Sequence, residues 1–152
     1  MGAKVVLCNE LGYGSALREG FKYATGKYIL MADADNTYDF LELPLLWNKL
    51  DTSVDMVIGT RLKGKIEKGA MPFLYRYLGT PVLTFLLNIL YGTKISDSQC
   101  GMRLIRKSSL DKICLRTTGM EFASELLVQF AKNNLKIKKL RFCTEVLFRK
   151  LA

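Results

Sequence analysis

A chain of 152 residues with 49% hydrophobic and 24% charged residues has the material for one packed domain and is not disordered. It contains no histidine, which excludes zinc sites and nucleophilic triads built on His and leaves Asp or Glu for any general base. The net charge of +9 is uneven: residues 1–55 hold five Lys and Arg against eight Asp and Glu, and residues 56–152 hold eighteen against six.

A basic face draws in anionic lipid, phosphorylated substrates or nucleic acid. With no zinc-finger spacing and no RNA-binding signature, no nucleic-acid partner is expected, and lipid headgroup and phosphate rank first. Cys8, Cys100, Cys114 and Cys143 form no Cys-x-x-Cys pair and read as reduced, mostly buried thiols of a cytosolic protein. No basic region followed by a long apolar run opens the chain, so no signal peptide is expected.

In chain order, residues 3–7 (Ala-Lys-Val-Val-Leu) are β-prone. Gly12 and Gly14 loosen the backbone ahead of Ser15, a helix cap by type, and Leu17, Phe21 and Ala24 then repeat at helical spacing up to Gly26. A glycine-rich turn opening a helix fits an anion site, and it fits equally a tight turn with Arg18 at the surface.

Tyr28 to Ala32 is an unbroken apolar run, the pattern of a strand covered on both faces in the middle of a parallel sheet. It empties into Asp33-Ala-Asp35-Asn-Thr-Tyr38-Asp39, where ligands gather in such sheets. Two carboxylates this close repel unless a positive charge lies between them. Mg²⁺ or Mn²⁺, which takes one or two protein carboxylates and fills its other positions with water and phosphate, meets that need. A solvated acidic loop fits the bare motif as well.

Phe40 to Leu50 reads as a helix with Leu43, Leu46, Trp47 and Leu50 inward and Pro44 in its first turn. After a turn at Asp51–Asp55, Met56-Val-Ile-Gly is a strand ending in Thr60 and Arg61. Alternating strands and helices predict an α/β sheet. Lys63, Gly64, Lys65, Lys68 and Gly69 make a basic loop ahead of Met71–Tyr91, where bulky apolar residues dominate. Its greasiest window, Thr80 to Tyr91, falls short of the roughly twenty residues that span a bilayer. A buried helix and a helix lying in the membrane interface both describe it. Ser96–Arg103 is a polar loop running into a short strand at Met102–Ile105. Gly119–Asn133 is a helix with Phe122, Leu126, Leu127 and Phe130 apolar, and with Glu121 and Glu125 repelling one turn apart. Leu135–Phe148 ends the core as strand.

Five segments occur in order: Gly-Tyr-Gly-Ser-Ala-Leu-Arg-Glu-Gly (12–20), Asp-Ala-Asp-Asn-Thr-Tyr (33–38), Met-Val-Ile-Gly-Thr-Arg (56–61), Ser-Asp-Ser-Gln-Cys-Gly-Met-Arg (96–103) and Gly-Met-Glu-Phe-Ala-Ser-Glu (119–125). Together they resemble the family 2 glycosyltransferases, and more narrowly the branch of dolichol-phosphate mannosyltransferase and the bacterial polyprenyl-phosphate sugar transferases. The resemblance implies a partial GT-A-like, Rossmann-like α/β fold: a mostly parallel sheet flanked by helices, with an interfacial amphipathic segment near 70–91. It implies one catalytic domain over residues 1–152, shortened by the N-terminal strand, helix and strand that hold the nucleotide base, and without downstream membrane helices.

The implied activity is inverting, metal-dependent transfer of a sugar from a nucleotide-sugar donor to a polyprenyl or dolichyl phosphate, at the cytoplasmic face of a membrane. The resemblance assigns Asp35 to the metal and Asp33 to the metal or the sugar diphosphate, with Gly12, Gly14 and Arg18 beside the donor. It sets Arg61, Arg76 and Thr80 against the acceptor phosphate, which Arg suits because its planar fork binds two oxygens. Asp97 would lie close to the sugar and serve as base if one is needed, and Glu125 would orient the sugar or the loop. Arg103 has two readings, pairing an acid beneath its loop or acting in catalysis. A homo-oligomer stays open. Two other functions fit the residues: a catalytically silent, membrane-peripheral binding protein of the same fold, and a nucleotidyltransferase.

Overall fold

The computed structural model describes residues 2–33, 38–60 and 79–141. The expected basic loop, Arg61, Arg76 and Asp35 lie outside them, as does the end of the last expected strand.

Helix α1 (Tyr13–Tyr23) turns Tyr13, Leu17 and Phe21 onto the core, while Glu19 and Lys22 pair at 2.6 Å on the wet side. Its start corrects the expected cap. Ser15 lies inside the first turn and is buried, and the N-cap is Gly12 at φ 128°, a conformation open to glycine.

Strands β1 (Tyr28–Met31), β2 (Met56–Thr60), β3 (Arg103–Arg106) and β4 (Ile137–Arg141) form one sheet in the order β1-β3-β2-β4. β3 runs antiparallel to both β1 and β2, and β4 runs parallel to β2. β1, β2 and β4 therefore point one way with β3 reversed between them, so the α/β sheet is mixed in its pairing.

β1, expected in the middle, is at the edge among the described residues, and β2 occupies the centre with all five residues buried. An apolar run shows that side chains are covered, not which strands bond on either side. Tyr28 takes its cover from Trp47, edge-on at 5.3 Å, and from the Arg106 guanidinium 5.3 Å from its ring centre. Residues 3–7 form no strand, and Val5 and Leu7 are 83% and 87% exposed. A β-prone run becomes a strand only against a ladder partner, and these residues have none among the described ones.

A 3₁₀ turn at Phe40–Glu42, capped by the Asp39 carboxylate on Leu41 N at 2.8 Å, leads into α2 (Leu43–Trp47). This is shorter than the expected helix. Leu46 is buried as predicted, whereas Trp47 is half exposed. Helix α3 (Thr80–Tyr91) ends at Gly92, which adopts the left-handed conformation at φ 63°. A short α4 (Lys107–Leu110) follows β3. Helix α5 (Phe122–Lys132) lays Phe122, Ala123, Leu126, Leu127 and Phe130 into the core, where they join Met56, Ile58 and Ile105. Among the described cysteines Cys100 is buried and Cys114 exposed, so the thiols are less uniformly buried than expected.

Candidate active site

The carboxyl ends of β1 and β2 meet the amino end of β3, where Met31 and Ile58 both stand opposite Arg103. Two residues past Met31, the Asp33 carboxylate is fixed from two sides. Tyr13 Oη donates to its Oδ1 at 3.0 Å, and the Gly101 backbone packs so closely that a Cβ there would collide with Oδ2. Gly101 N in turn donates to Tyr38 Oη at 2.7 Å. Burial first, and the Asp33 charge second, push the Tyr13 hydroxyl up to about 12, so it stays a protonated donor at neutral pH.

The loop before β3 is held from beneath. Arg103 is fully buried and donates through Nε to Cys100 O (2.9 Å), through Nη1 to Ala123 O (2.9 Å) and through Nη2 to Ser98 O (3.0 Å). Burial lowers its pKa, and the nearby charge of Asp97 acts against that. Three carbonyls are its bonded partners here, so of its two expected roles the geometry supports a structural one, fastening loop 98–100 to α5. Asp97 is 1% exposed and accepts from Gln99 N at 3.1 Å.

Glu125 also faces the chain. Its carboxylate accepts from Arg116 N at 2.9 and 3.1 Å, from Thr117 N at 3.0 Å and from Thr117 Oγ1 at 2.6 Å. Burial raises its pKa, but these hydrogen bonds outweigh that and hold the carboxyl below its ordinary value. Of the two roles expected for Glu125, its described contacts are with the loop. Glu121 bonds back to Gly119 N at 2.9 Å, so the two acids serve different loop segments.

The loop that Glu125 fastens presents Thr118 O to the start of α1, where it accepts from Gly14 N (2.7 Å) and Ser15 N (3.2 Å). The expected glycine-turn anion cradle is thus filled from within the chain. Gly12 and Gly14 are glycines for close approach: a Cβ on Gly12 would collide with Thr118 O, and one on Gly14 would sit 2.6 Å from Thr117 O. Arg18 donates to Arg116 O at 3.0 Å and lies 3.9 Å from Glu10. These three residues bind the 116–118 loop to α1, and α1 carries Tyr13.

Asp33, Asp97 and their supports therefore gather at one end of the sheet, with Glu125 one layer behind. Thr80 opens α3. The α3 surface is uneven: Thr84 and Leu87 are buried, whereas Phe85, Ile89 and Leu90 are 61%, 63% and 69% exposed. Val82 and Leu86 add to that stripe, and the helix carries no charged residue. Thr84 Oγ1 donates to Ser98 Oγ at 3.0 Å and accepts from Ser98 N at 3.1 Å, tying α3 to the Asp97 loop. No helix among the described residues is long and apolar enough to cross a membrane. A cleft of about 580 Å³ between Asp55, Tyr91, Lys94, Asn134 and Lys136 opens at the other end of the sheet, lined by none of the expected site residues.

Among the described residues no group of three His, Cys, Asp or Glu comes together as a metal site. Asp33 nonetheless fits a hard divalent cation as one of few carboxylate ligands, since it is an oxygen donor fixed at a strand's carboxyl end. Tyr13, Tyr38 and Gly101 are supports that sequence reasoning did not assign. All three sit inside recognised segments, 12–20, 33–38 and 96–103, yet Tyr13, a bulky ring between two glycines, carried no spacing signal of its own.

Residues 2–114 match the family model described as Glycosyl transferase family 2. The low-salt glycan biosynthesis hexosyltransferase Agl6 of Haloferax volcanii is 42% identical over 139 residues, covering 91% of this chain and 34% of that protein. The dolichyl-phosphate hexose transferase of the same organism is 31% identical over 140 residues, covering 90% and 58%. The chain thus spans less than two-thirds of the length of these relatives. Glucosyl-3-phosphoglycerate synthase from Mycobacterium tuberculosis, solved with Mn²⁺ and UDP-glucose, superposes with a TM-score of 0.64 at 17% identity, covering 89% of this chain and 46% of that one. That likeness shows a shared, GT-A-like fold.

Proposed function

Since the chain belongs to glycosyl transferase family 2, we propose that it transfers a hexose from a nucleotide-sugar donor to a dolichyl or polyprenyl phosphate, with inversion at the anomeric carbon. The observation that carries this reading is the fixed Asp33 carboxylate at the carboxyl end of β1, held by Tyr13 and fitted against Gly101. The names of the Haloferax relatives support a hexose and a dolichyl phosphate, and the Mn²⁺ and UDP-glucose complex of the structural neighbour supports a divalent ion and a sugar nucleotide.

In the proposed reaction an acceptor phosphate oxygen attacks the anomeric carbon from the face opposite the leaving group. The bond from that carbon to the nucleoside diphosphate breaks, and its electron pair leaves with the diphosphate. Asp35 and Asp33 would hold Mg²⁺ or Mn²⁺, which when bound supplies Lewis-acid stabilisation of the leaving diphosphate. The acceptor is already ionised at neutral pH, so it needs positioning more than deprotonation. Arg61, Arg76 and Thr80 are the proposed phosphate contacts.

Asp97 is proposed to hold a sugar hydroxyl, or to take a proton if one must move. Arg103 positions Asp97 through its grip on the loop carbonyls. Glu125, Gly12, Gly14 and Arg18 position Tyr13, and through it Asp33, by clamping the 116–118 loop on α1. The exposed apolar stripe of α3 supports a peripheral seat on a membrane, where a lipid phosphate would be met. The reading extends to one catalytic domain at the cytoplasmic face.

Incubation of the protein with radiolabelled UDP-glucose or GDP-mannose, Mn²⁺ and polyprenyl phosphate tests this. Labelled glycolipid is expected, abolished by EDTA and by Asp35→Ala with the fold intact. Equal glycolipid from Asp35→Ala refutes the metal assignment, and none from the unmodified protein refutes the transfer reading.

A further inference from the structure

Thr60 closes β2, the central strand, at 1% exposure, and its hydroxyl has no hydrogen-bond partner among the described residues. Among the described residues one other buried side-chain polar atom shares that condition, the hydroxyl of Ser96, the neighbour of Asp97. A threonine at the end of a buried strand usually spends its hydroxyl on a carbonyl or a water, because an unmade bond is costly once the group leaves solvent.

Thr60 stands where a ligand would use it. Ile58 and Met31 lie opposite Arg103 from either side, and side chains alternate along strands, so Thr60 and Asp33 flank Gly101 on one face at one end of the sheet. Gly59 N donates to Met102 O at 3.2 Å, which keeps that register to the last residues of β2. The loop bearing the buried Asp97 runs into Gly101 from the same end, fastened by Arg103.

We propose that Thr60 is a specificity-determining residue, its Oγ1 binding, together with the Asp97 carboxylate, a hydroxyl of the transferred hexose. This rests on the transfer reading above. The chemistry selects the ligand. A carboxylate only accepts and has lone pairs beyond the one that takes Gln99 N, a threonine hydroxyl donates as well, and a sugar hydroxyl can donate to Asp97 while accepting from Thr60. A phosphate there would face a buried carboxylate and is disfavoured. A site built to bond a hydroxyl rejects an analogue lacking it far more strongly than an apolar pocket rejects an extra one.

The test compares Thr60→Val, which keeps shape and removes the hydroxyl, with Thr60→Ser, which keeps the hydroxyl. Each is assayed for transfer to polyprenyl phosphate from UDP-glucose and GDP-mannose, and from the monodeoxy analogues of whichever donor the wild type uses. Thr60→Val is expected to lower kcat/KM for the parent donor about 10- to 100-fold. With one deoxy analogue it should match the wild type, and its melting temperature should not fall. Thr60→Ser should stay within about threefold of wild type throughout.

Equal losses with parent and every deoxy donor, or a Thr60→Val protein that fails to fold where Thr60→Ser folds, overturn the inference by giving the hydroxyl a structural task. So do unchanged kinetics, and so does an effect confined to KM for polyprenyl phosphate. A wild type that transfers from neither donor fails at the earlier step and removes the transfer reading itself.

Discussion

The sheet end around Asp33 and the outer face of α3 are joined through Thr84 and Ser98, yet they are built on opposite terms. At the sheet end most of the named polar groups are committed, Tyr13 to Asp33, Tyr38 to Gly101, Arg103 to three carbonyls and Glu125 to a loop, with the Thr60 and Ser96 hydroxyls the exceptions. Directional bonds fix positions to fractions of an ångström, as group transfer requires. On α3, Phe85, Ile89 and Leu90 stand out with no directional partner, on a helix without a single charge. Apolar surface of that kind binds without fixed geometry, which suits a fluid lipid phase. One helix thus presents a loosely specified surface outward and grips the tightly specified loop inward.

The comparison breaks most visibly at Arg103. Arg103→Met strips Ser98, Cys100 and Ala123 of their buried donor and should cost about 3–5 kcal/mol in urea unfolding, with Arg103→Lys recovering part because it lacks the planar fork. Gly101→Ala forces its Cβ into the Asp33 carboxylate and should cost about 1–3 kcal/mol. Titration calorimetry should show Mn²⁺-dependent binding of UDP weakened by the same change; undiminished binding would mean that Asp33 is not on that ion.

Tyr13→Phe removes one hydrogen bond and should cost about 1 kcal/mol, again with weaker Mn²⁺-dependent UDP binding if the bond serves to aim Asp33. Glu125 gives a pH signature. Its folded pKa lies below the ordinary 4.5, so its stabilisation is complete above that value and lost as pH falls through the lower folded one. Glu125→Gln should flatten the acid limb of the stability profile, and an unchanged limb would separate the 116–118 loop from acid unfolding.

The smallest effect on stability belongs to α3 and sharpens the contrast. Phe85→Ser with Ile89→Ser should change unfolding free energy by no more than about 0.5 kcal/mol per site, because both side chains already meet solvent. Sedimentation with anionic liposomes should nonetheless fall several-fold. Liposome binding equal to wild type would remove the proposed membrane role from this face.

The strand end at Asp33 was legible from its apolar run, whereas Asp97 was singled out by the family resemblance. The apolar run into Asp33 and the polar segment around Asp97 were each expected to abut a strand, and they lead to the same sheet end because β3 runs antiparallel to β1 and β2, which the pattern did not reveal. Less legible was what Glu125 and the glycines do. Glu125 read as orienting the sugar or the loop, and its bonds to residues eight and nine positions before it favour the loop; Gly12 and Gly14 read as an anion turn or a tight turn, and are glycines because Thr117 and Thr118 press against them from far along the chain. Contacts between segments a hundred residues apart leave no local period.

Sequence by itself determined the α/β class, the acidic strand end and the uncharged apolar helix, since composition and periodicity are properties of neighbouring residues, and five motifs in order carried the resemblance to the family. Only the tertiary structure decided that β2 rather than β1 is central, that Arg103 serves carbonyls and that Tyr13 bonds Asp33. Ladder partners and hydrogen-bond partners are chosen by which segments meet in space, and burial makes each unmade bond costly enough to enforce the choice.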